Sequence, residues 1–141
     1  MIGLTVTSKR EGLARAINWL DRRPGFLAVR GATEYPRFLR RRILEGRRPD
    51  GSRQKRNAES TIRRKGHSTA LLGLTKTLSN PNKWSVRPAG RNGATAEPPD
   101  GYVKIIERLE KQDYGIIGPG EEYLSWLERL VGEDYRVRVE V

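Results

Sequence analysis

Apolar residues come in short bursts along this chain, and their spacing shifts between period two and helical. Ile2, Leu4 and Val6 alternate with Gly3, Thr5 and Thr7, the pattern of a short strand. Ser8 then offers an N-cap, and Leu13, Ala16, Ile17 and Leu20 recur at helical spacing, with Trp19 beside the stripe. This predicts a helix over about 9–21 that stops before Pro24 and Gly25. A second helix is predicted over about 36–44, with Phe38, Leu39, Ile43 and Leu44 inward and Arg37, Arg40 and Arg41 outward. Pro36 suits its first turn, Gly46 suits its C-terminal cap, and Arg47 and Arg48 complement the negative end of its dipole.

Residues 47–60 hold no aliphatic side chain larger than alanine, so they predict an exposed loop that is mobile until bound. Ser60 to Gly66 reads as a short helical turn with a glycine stop. Leu71, Leu72, Leu74 and Leu78 form an apolar segment ended by Asn80-Pro81-Asn82. Trp84, Ser85, Val86 and Arg87 read as a strand, and the Pro-, Gly-, Ala- and Asn-rich residues 88–101 as a second long loop. Tyr102, Val103, Ile105, Ile106 and Leu109 fit a strand or a helix equally well. After Gly118-Pro119-Gly120, the carboxylates of Glu121 and Glu122 open a helix carrying Tyr123, Leu124, Trp126, Leu127, Leu130 and Val131, which Gly132 ends. Tyr135, Val137, Val139 and Val141 then alternate with Arg136, Arg138 and Glu140, a strand with one wet face. There is no internal repeat. The expected fold class is α+β: N-terminal helices, a small, mainly antiparallel sheet packed with a C-terminal helix, and a long basic loop.

Length and composition narrow this picture. With 141 residues the chain has room for a single domain, 1–141, with exposed loops near 47–60 and 88–101. Hydrophobic residues make up 35%, which limits the core and leaves partners to complete the packing. The absence of cysteine excludes disulfides and thiolate metal sites. No run approaches the roughly 20 apolar residues that cross a bilayer, and residues 1–10 lack the apolar core of a signal peptide. The expected setting is a reducing interior, or a particle assembled in one, with no membrane partner.

Charge is the unusual feature. The formal total is +11, but residues 1–91 hold 22 Lys/Arg against 6 Asp/Glu, a balance of +16, while residues 92–141 hold 6 against 11, a balance of −5. A basic part seeks phosphate or acidic protein, an acidic part can dock on a basic neighbour, and copies can attract one another head to tail. Arg47, Arg48, Arg53, Lys55, Arg56, Arg63, Arg64 and Lys65 lie close together, opposed only by Asp50 and Glu59. A face that served solubility alone would mix the signs more evenly. Arginine favours bidentate contacts to phosphate or carboxylate, and without interleaved aromatics the run has no means of stacking on bases. It is a candidate binding surface for a phosphate backbone or acidic side chains. Trp84, on a short strand beside a loop, is a candidate interface anchor.

Catalytic chemistry finds little support. His67 is the one histidine and sits in a polar loop beside cations, poorly placed as a general base and insufficient for zinc or iron. Glu121-Glu122 is explained by helix capping and Glu133-Asp134 by a turn. Gly118-Pro119-Gly120 lacks the Gly-Lys-Ser/Thr of a phosphate loop. The expectation is no enzyme, no catalytic residues, no cofactor and no metal.

The segment Ile43-Leu44-Glu45-Gly46-Arg47-Arg48-Pro49-Asp50-Gly51-Ser52, followed by Thr61-Ile62-Arg63-Arg64-Lys65-Gly66 and Leu71-Leu72, resembles the middle of the virion-morphogenesis proteins of tailed bacteriophages, the neck and tail-completion families. The correspondence covers Gly46, Pro49, Asp50, Gly51, Thr61, Ile62, Arg64, Lys65, Gly66, Leu71 and Leu72. Gly73-Leu74-Thr75 stands where the family tends to have Asp-Thr-Gly. The family's tyrosine-bearing strand is matched to Tyr102–Ile106, without the Phe-Gly that often follows it. The resemblance implies a structural subunit of the head–tail junction, forming a homo-oligomeric ring as a neck or tail-completion protein. Its partners would be head connector or portal-adaptor proteins and tail proteins. Such a ring is assembled in the host cytoplasm, becomes part of the virion, and can touch DNA in its channel without reading sequence. The alternative that the residues also allow is a monomeric basic protein binding the phosphate backbone of nucleic acid without specificity.

Overall fold

A computed structural model of the chain describes residues 1–9, 23–54, 59–66, 80–111, 116 and 118–141. Residues 10–21 of the predicted helix over 9–21, the apolar segment at 71–78, Lys55, Arg56 and His67 lie outside them.

Strand β1 (Ile2–Ser8) follows the period-two pattern, with Ile2, Leu4 and Val6 buried and Thr5 and Thr7 exposed. It lies third in a four-stranded antiparallel sheet of order β2-β3-β1-β4, where β2 is Ser85–Ala89, β3 is Gly93–Glu97 and β4 is Tyr135–Glu140. The α+β class is therefore as expected, with helices stacked on one face of a small antiparallel sheet.

The long helix α1 (Pro24–Glu45) crosses β1 and β3 and differs from the predicted 36–44. It begins at Pro24, which was expected to lie beyond the end of the preceding helix, and Pro36 sits in its interior instead of its first turn. The buried stripe is Leu27, Ala28, Gly31, Ala32, Tyr35, Pro36, Leu39 and Ile43. Its first half is built from small residues, so a hydrophobic pattern read in bulk is faint there. An interior proline costs a helix about 3 kcal/mol, and burying this stripe along the sheet offsets it. The predicted C-terminus is correct. Gly46 is left-handed at φ 64°, its N–H donates to the Ile43 carbonyl, and the Arg47 N–H donates to the Arg42 carbonyl, which is a Schellman closure.

Two predicted loops are folded. Residues 88–101 contain the end of β2 and all of β3, joined by a turn with Gly90 at φ 69°. Ala94 and Ala96 are buried beneath α1, and their small volume, which made the segment read as a loop, lets the helix lie close to the strand. Of residues 47–60, the described part (47–54 and 59–60) likewise holds a tight hairpin and the start of α2 (Glu59–Lys65). Gly66 ends α2 as expected, its N–H donating to the Ile62 carbonyl.

The ambiguous segment forms α3 (Tyr102–Lys111), with Ile106 buried. It is not the strand implied by the family resemblance. The helix α4 (Glu121–Val131) matches prediction and buries Tyr123, Leu127 and Val131 against α1 and β4. At the crossing of β1, α1 and α4, a Cβ on Gly31 would stand 2.7 Å from Leu127 Cδ2 and 2.9 Å from Leu4 Cδ2. Glycine is therefore required there for close approach. Among the described residues no helix is long and apolar enough to cross a membrane.

Candidate functional site

The basic run is organised by the end of α1. Immediately past the Gly46 cap the chain reverses: Arg48 N–H donates to the Ser52 carbonyl (2.7 Å), Gly51 N–H to the Arg48 carbonyl (2.9 Å) and Gln54 N–H to the Gly46 carbonyl (2.8 Å). Asp50 Oδ1 accepts from both the backbone N–H (2.9 Å) and the hydroxyl (2.6 Å) of Ser52, an Asx-turn that fixes the tip. Those two hydrogen bonds hold the Asp50 carboxyl below its ordinary pKa. The Pro-Asp-Gly-Ser sequence thus folds itself.

The hairpin sets Arg47 directly opposite Arg53. Like charges facing across a ladder are unfavourable by some tenths of a kcal/mol to about 1 kcal/mol, a cost that an anion between them would reverse. Arg47 is steadied by the Gly51 carbonyl (Nη1 at 3.1 Å) and by Glu45 (3.7 Å). Arg53 is exposed, with no side-chain partner among the described residues. Upstream, the solvent face of α1 carries Arg37, Arg40 and Arg41, all exposed. Arg37 pairs with Glu34 (3.0 Å), while Arg41 approaches Glu122 (3.4 Å) and lies over the Phe38 ring (5.7 Å). The basic run therefore continues back along α1 as a belt. The i, i+3, i+4 spacing of these arginines placed them outside the helix, but reading the run as a loop hid their continuity with it.

Arg63 and Arg64 are exposed on α2, and Lys65 closes that helix. The belt that the structure joins is therefore Arg37, Arg40, Arg41, Arg47, Arg48 and Arg53. Trp84, the candidate interface anchor, is half-buried and edge-on to Tyr35 with ring centroids 5.6 Å apart.

Beneath the hairpin, between the end of α1 and the start of α4, lies a cavity of about 290 Å³ lined by Phe38, Arg42, Arg48, Pro49, Pro119 and Tyr123 among others. Arg42 forms its wall. Its Nη2 donates to the carbonyls of Ile116 and Gly118, both at 2.9 Å, and its Nη1 is sealed from solvent with no partner among the described residues. Burial lowers the Arg42 pKa from its usual value, and the neighbouring Tyr35 opposes that shift. Tyr35 also donates to the Gly118 carbonyl (3.2 Å). The helical pattern named Arg37, Arg40 and Arg41 as outward and gave Arg42 no role, whereas it turns inward to hold the segment before α4. With Glu45, Glu121 and Glu122 also on its rim, the cavity is mixed in charge.

Tyr35 and Tyr123 are buried, and desolvation raises both phenol pKa values above the ordinary tyrosine value. A group whose folded pKa is raised contributes fully below its unfolded pKa and loses that contribution as pH climbs. Stability should therefore fall once pH passes about 10, by up to about 1.4 kcal/mol per pH unit for each tyrosine. Urea unfolding between pH 8 and 11 checks this: the midpoint should be flat to about pH 9.5 and drop beyond it.

Among the described residues no group of three or more His, Cys, Asp or Glu side chains converges as a metal site. The arrangement gathers exposed guanidinium groups, able to bind anionic groups of a partner. No protein-family model matches the chain, and no curated protein or solved structure matches it either.

Proposed function

We propose that this chain is a structural subunit of the head–tail junction of a tailed bacteriophage. It would join, as a ring, a neck or tail-completion assembly between the head connector and the tail. The observation that carries the binding half of this reading is the hairpin that opposes Arg47 to Arg53 at the end of an arginine belt. Such a surface carries more positive charge than its own carboxylates balance and is suited to an acidic neighbour. The acidic balance of residues 92–141 gives each copy such a surface for the next. The phage assignment itself rests on the resemblance of residues 43–52, 61–66 and 71–72 to that family. A catalytic role has no part in this reading.

The same belt fits the phosphate backbone of nucleic acid, so the two readings are separated by one variant. Arg47→Glu/Arg53→Glu should leave the isolated chain folded and abolish its incorporation into a ring with connector and tail proteins, measured by light scattering after size exclusion. If the double variant assembles normally, the belt is not the assembly surface. If instead the wild-type chain only binds duplexes of unrelated sequence, and the variant flattens the salt dependence by about two counterions, it is a nucleic-acid-binding protein.

A further inference from the structure

The two edges of the sheet are chemically unequal. Lys9 N–H donates to the Asp134 carbonyl (2.8 Å), just beyond the Ser8–Tyr135 pair of the β1–β4 ladder. Hydrogen-bonded pairs recur every second residue, so Arg136, Arg138 and Glu140 direct their backbone groups to β1. The N–H and C=O groups of Val137, Val139 and Val141 therefore point away from the sheet. At the opposite side, Val6 N–H donates to the Asn92 carbonyl (2.8 Å), which by the same alternation turns Thr95 and its neighbours Gly93 and Glu97 toward β2. Within β2, Ser85, Arg87 and Ala89 then face β3, while Val86 and Pro88 face outward. Pro88 has no N–H to offer, and its ring blocks a further strand there. β4 has no proline and one ladder partner, β1, among the described residues.

We infer that β4 is a self-association edge that takes a second copy of this chain by antiparallel strand pairing across a two-fold axis. The sequence selects the register. Outward-directed residues must oppose one another, so Val139 can sit opposite Val139 of the other copy, with Val137 opposite Val141. That register places Arg138 opposite Glu140, twice by symmetry, in the non-hydrogen-bonded positions where side chains lie closest. Shifting by one pair toward the start of β4 keeps two attractive pairs, Arg136 opposite Glu140, but adds two Arg138 side chains face to face. A further shift sets Arg136 against Arg138 with no carboxylate opposed. Arg138 and Glu140 are exposed on the face away from the helices, with side-chain exposures of 79% and 63%, and pair with each other within the chain (Nε to Oε1, 3.2 Å), so two-fold pairing would join two such intrachain pairs into one four-charge cluster. The valines align on the helix-covered face, where Val137 and Val139 are half-buried and Val141 is 70% exposed.

Because Pro88 stops growth at the other edge, this pairing closes at two copies and does not propagate into a continuous sheet. The proposal goes beyond the head–tail reading. A polar ring has no two-fold axis between neighbours, so the β4 contact is distinct from the contact between ring neighbours.

Sedimentation of the full nuclease-treated chain over a range of concentrations tests this. The wild type should show a monomer–dimer equilibrium. R138E and E140R should each weaken it about ten- to a hundredfold, by turning two attractive pairs repulsive. R138E/E140R should restore the dimer, because the reversed charges again oppose. V139P should abolish dimerisation by removing an outward N–H, whereas V139A, which loses the same packing against the core but keeps that N–H, should still dimerise. A monomeric wild type, a dimer indifferent to the single reversals, or a double reversal that fails to recover would each overturn the proposal. A ring formed with virion proteins beside a strictly monomeric free chain would remove the β4 dimer and leave the head–tail reading standing. A charge-reversible dimer that never enters such a ring would do the opposite.

Discussion

Tyr123→Ala should destabilise the protein by about 3–5 kcal/mol, the usual cost of emptying a large aromatic site in a core. Tyr123 is 1% exposed and stands at the centre of the aromatic cluster, with Tyr35, Phe38 and Trp126 at centroid distances of 5.4, 5.3 and 6.1 Å. Its hydroxyl donates to the Gly31 carbonyl at 2.7 Å, linking α4 to α1 at their closest approach. Truncation removes the rings' common neighbour and the inter-helix hydrogen bond together. Three rings cannot collapse into the space without α1 and α4 moving off the sheet. Thermal unfolding should show a fall in Tm of roughly 10 °C or more. Tyr123→Phe separates the contributions: it keeps the packing and loses the hydrogen bond, so its cost should be about 1 kcal/mol. The same variant should weaken the alkaline drop in stability, because one of the two buried phenols no longer titrates. A Tyr123→Ala protein as stable as the parent would mean that α4 does not depend on this contact.

Arg42→Met should cost about 2–4 kcal/mol, the next largest effect expected. Methionine keeps the aliphatic stem but removes the donor shared by the Ile116 and Gly118 carbonyls. A buried acceptor that loses its partner costs about 1–3 kcal/mol. Relief of the sealed, unpartnered Nη1 recovers part of that loss. The Tyr35 hydroxyl, also on the Gly118 carbonyl, satisfies one acceptor alone. The change should therefore loosen the segment entering α4 more than it unfolds the sheet. Hydrogen exchange should report it: amides of 116–122 should exchange faster than those of β1 and β3. Uniform acceleration across the chain would show that Arg42 supports the whole core and not this segment. The cavity beneath the hairpin should open in the same variant, since Arg42 forms its wall.

Both predictions concern residues that sequence reading treated lightly, and the physical reason is instructive. Tyr123 was legible as a core position from the period of α4. Its neighbours come from α1, where Gly31, Ala28 and Ala32 supply closeness instead of bulk and give little hydrophobic signal. Arg42 follows three arginines that do face solvent, and nothing in the local pattern marks it as different. What separates it is the carbonyl pair more than 70 residues away in sequence. The small-residue stretch Gly93–Glu97 misled for the same reason: alanines look like loop in a sequence and become a strand only when a helix lies close upon them.

By itself the sequence determined whatever rests on local chemistry. The alternation of β1 and β4, the Gly46 cap, the Gly66 stop, the acidic start of α4 and the α+β class follow from period, capping and dihedral preference among near neighbours. The concentration of basic residues at 47–65 was equally visible. Tertiary structure alone decided that α1 runs through Pro36, because the gain from burying its stripe is made against strands that are distant in sequence. It also decided that Tyr102–Lys111 is helix, that the basic loop is a hairpin opposing Arg47 to Arg53, and that β2 and β4 present unequal edges. Each of these depends on which backbone groups meet across long separations, and no local pattern carries that information.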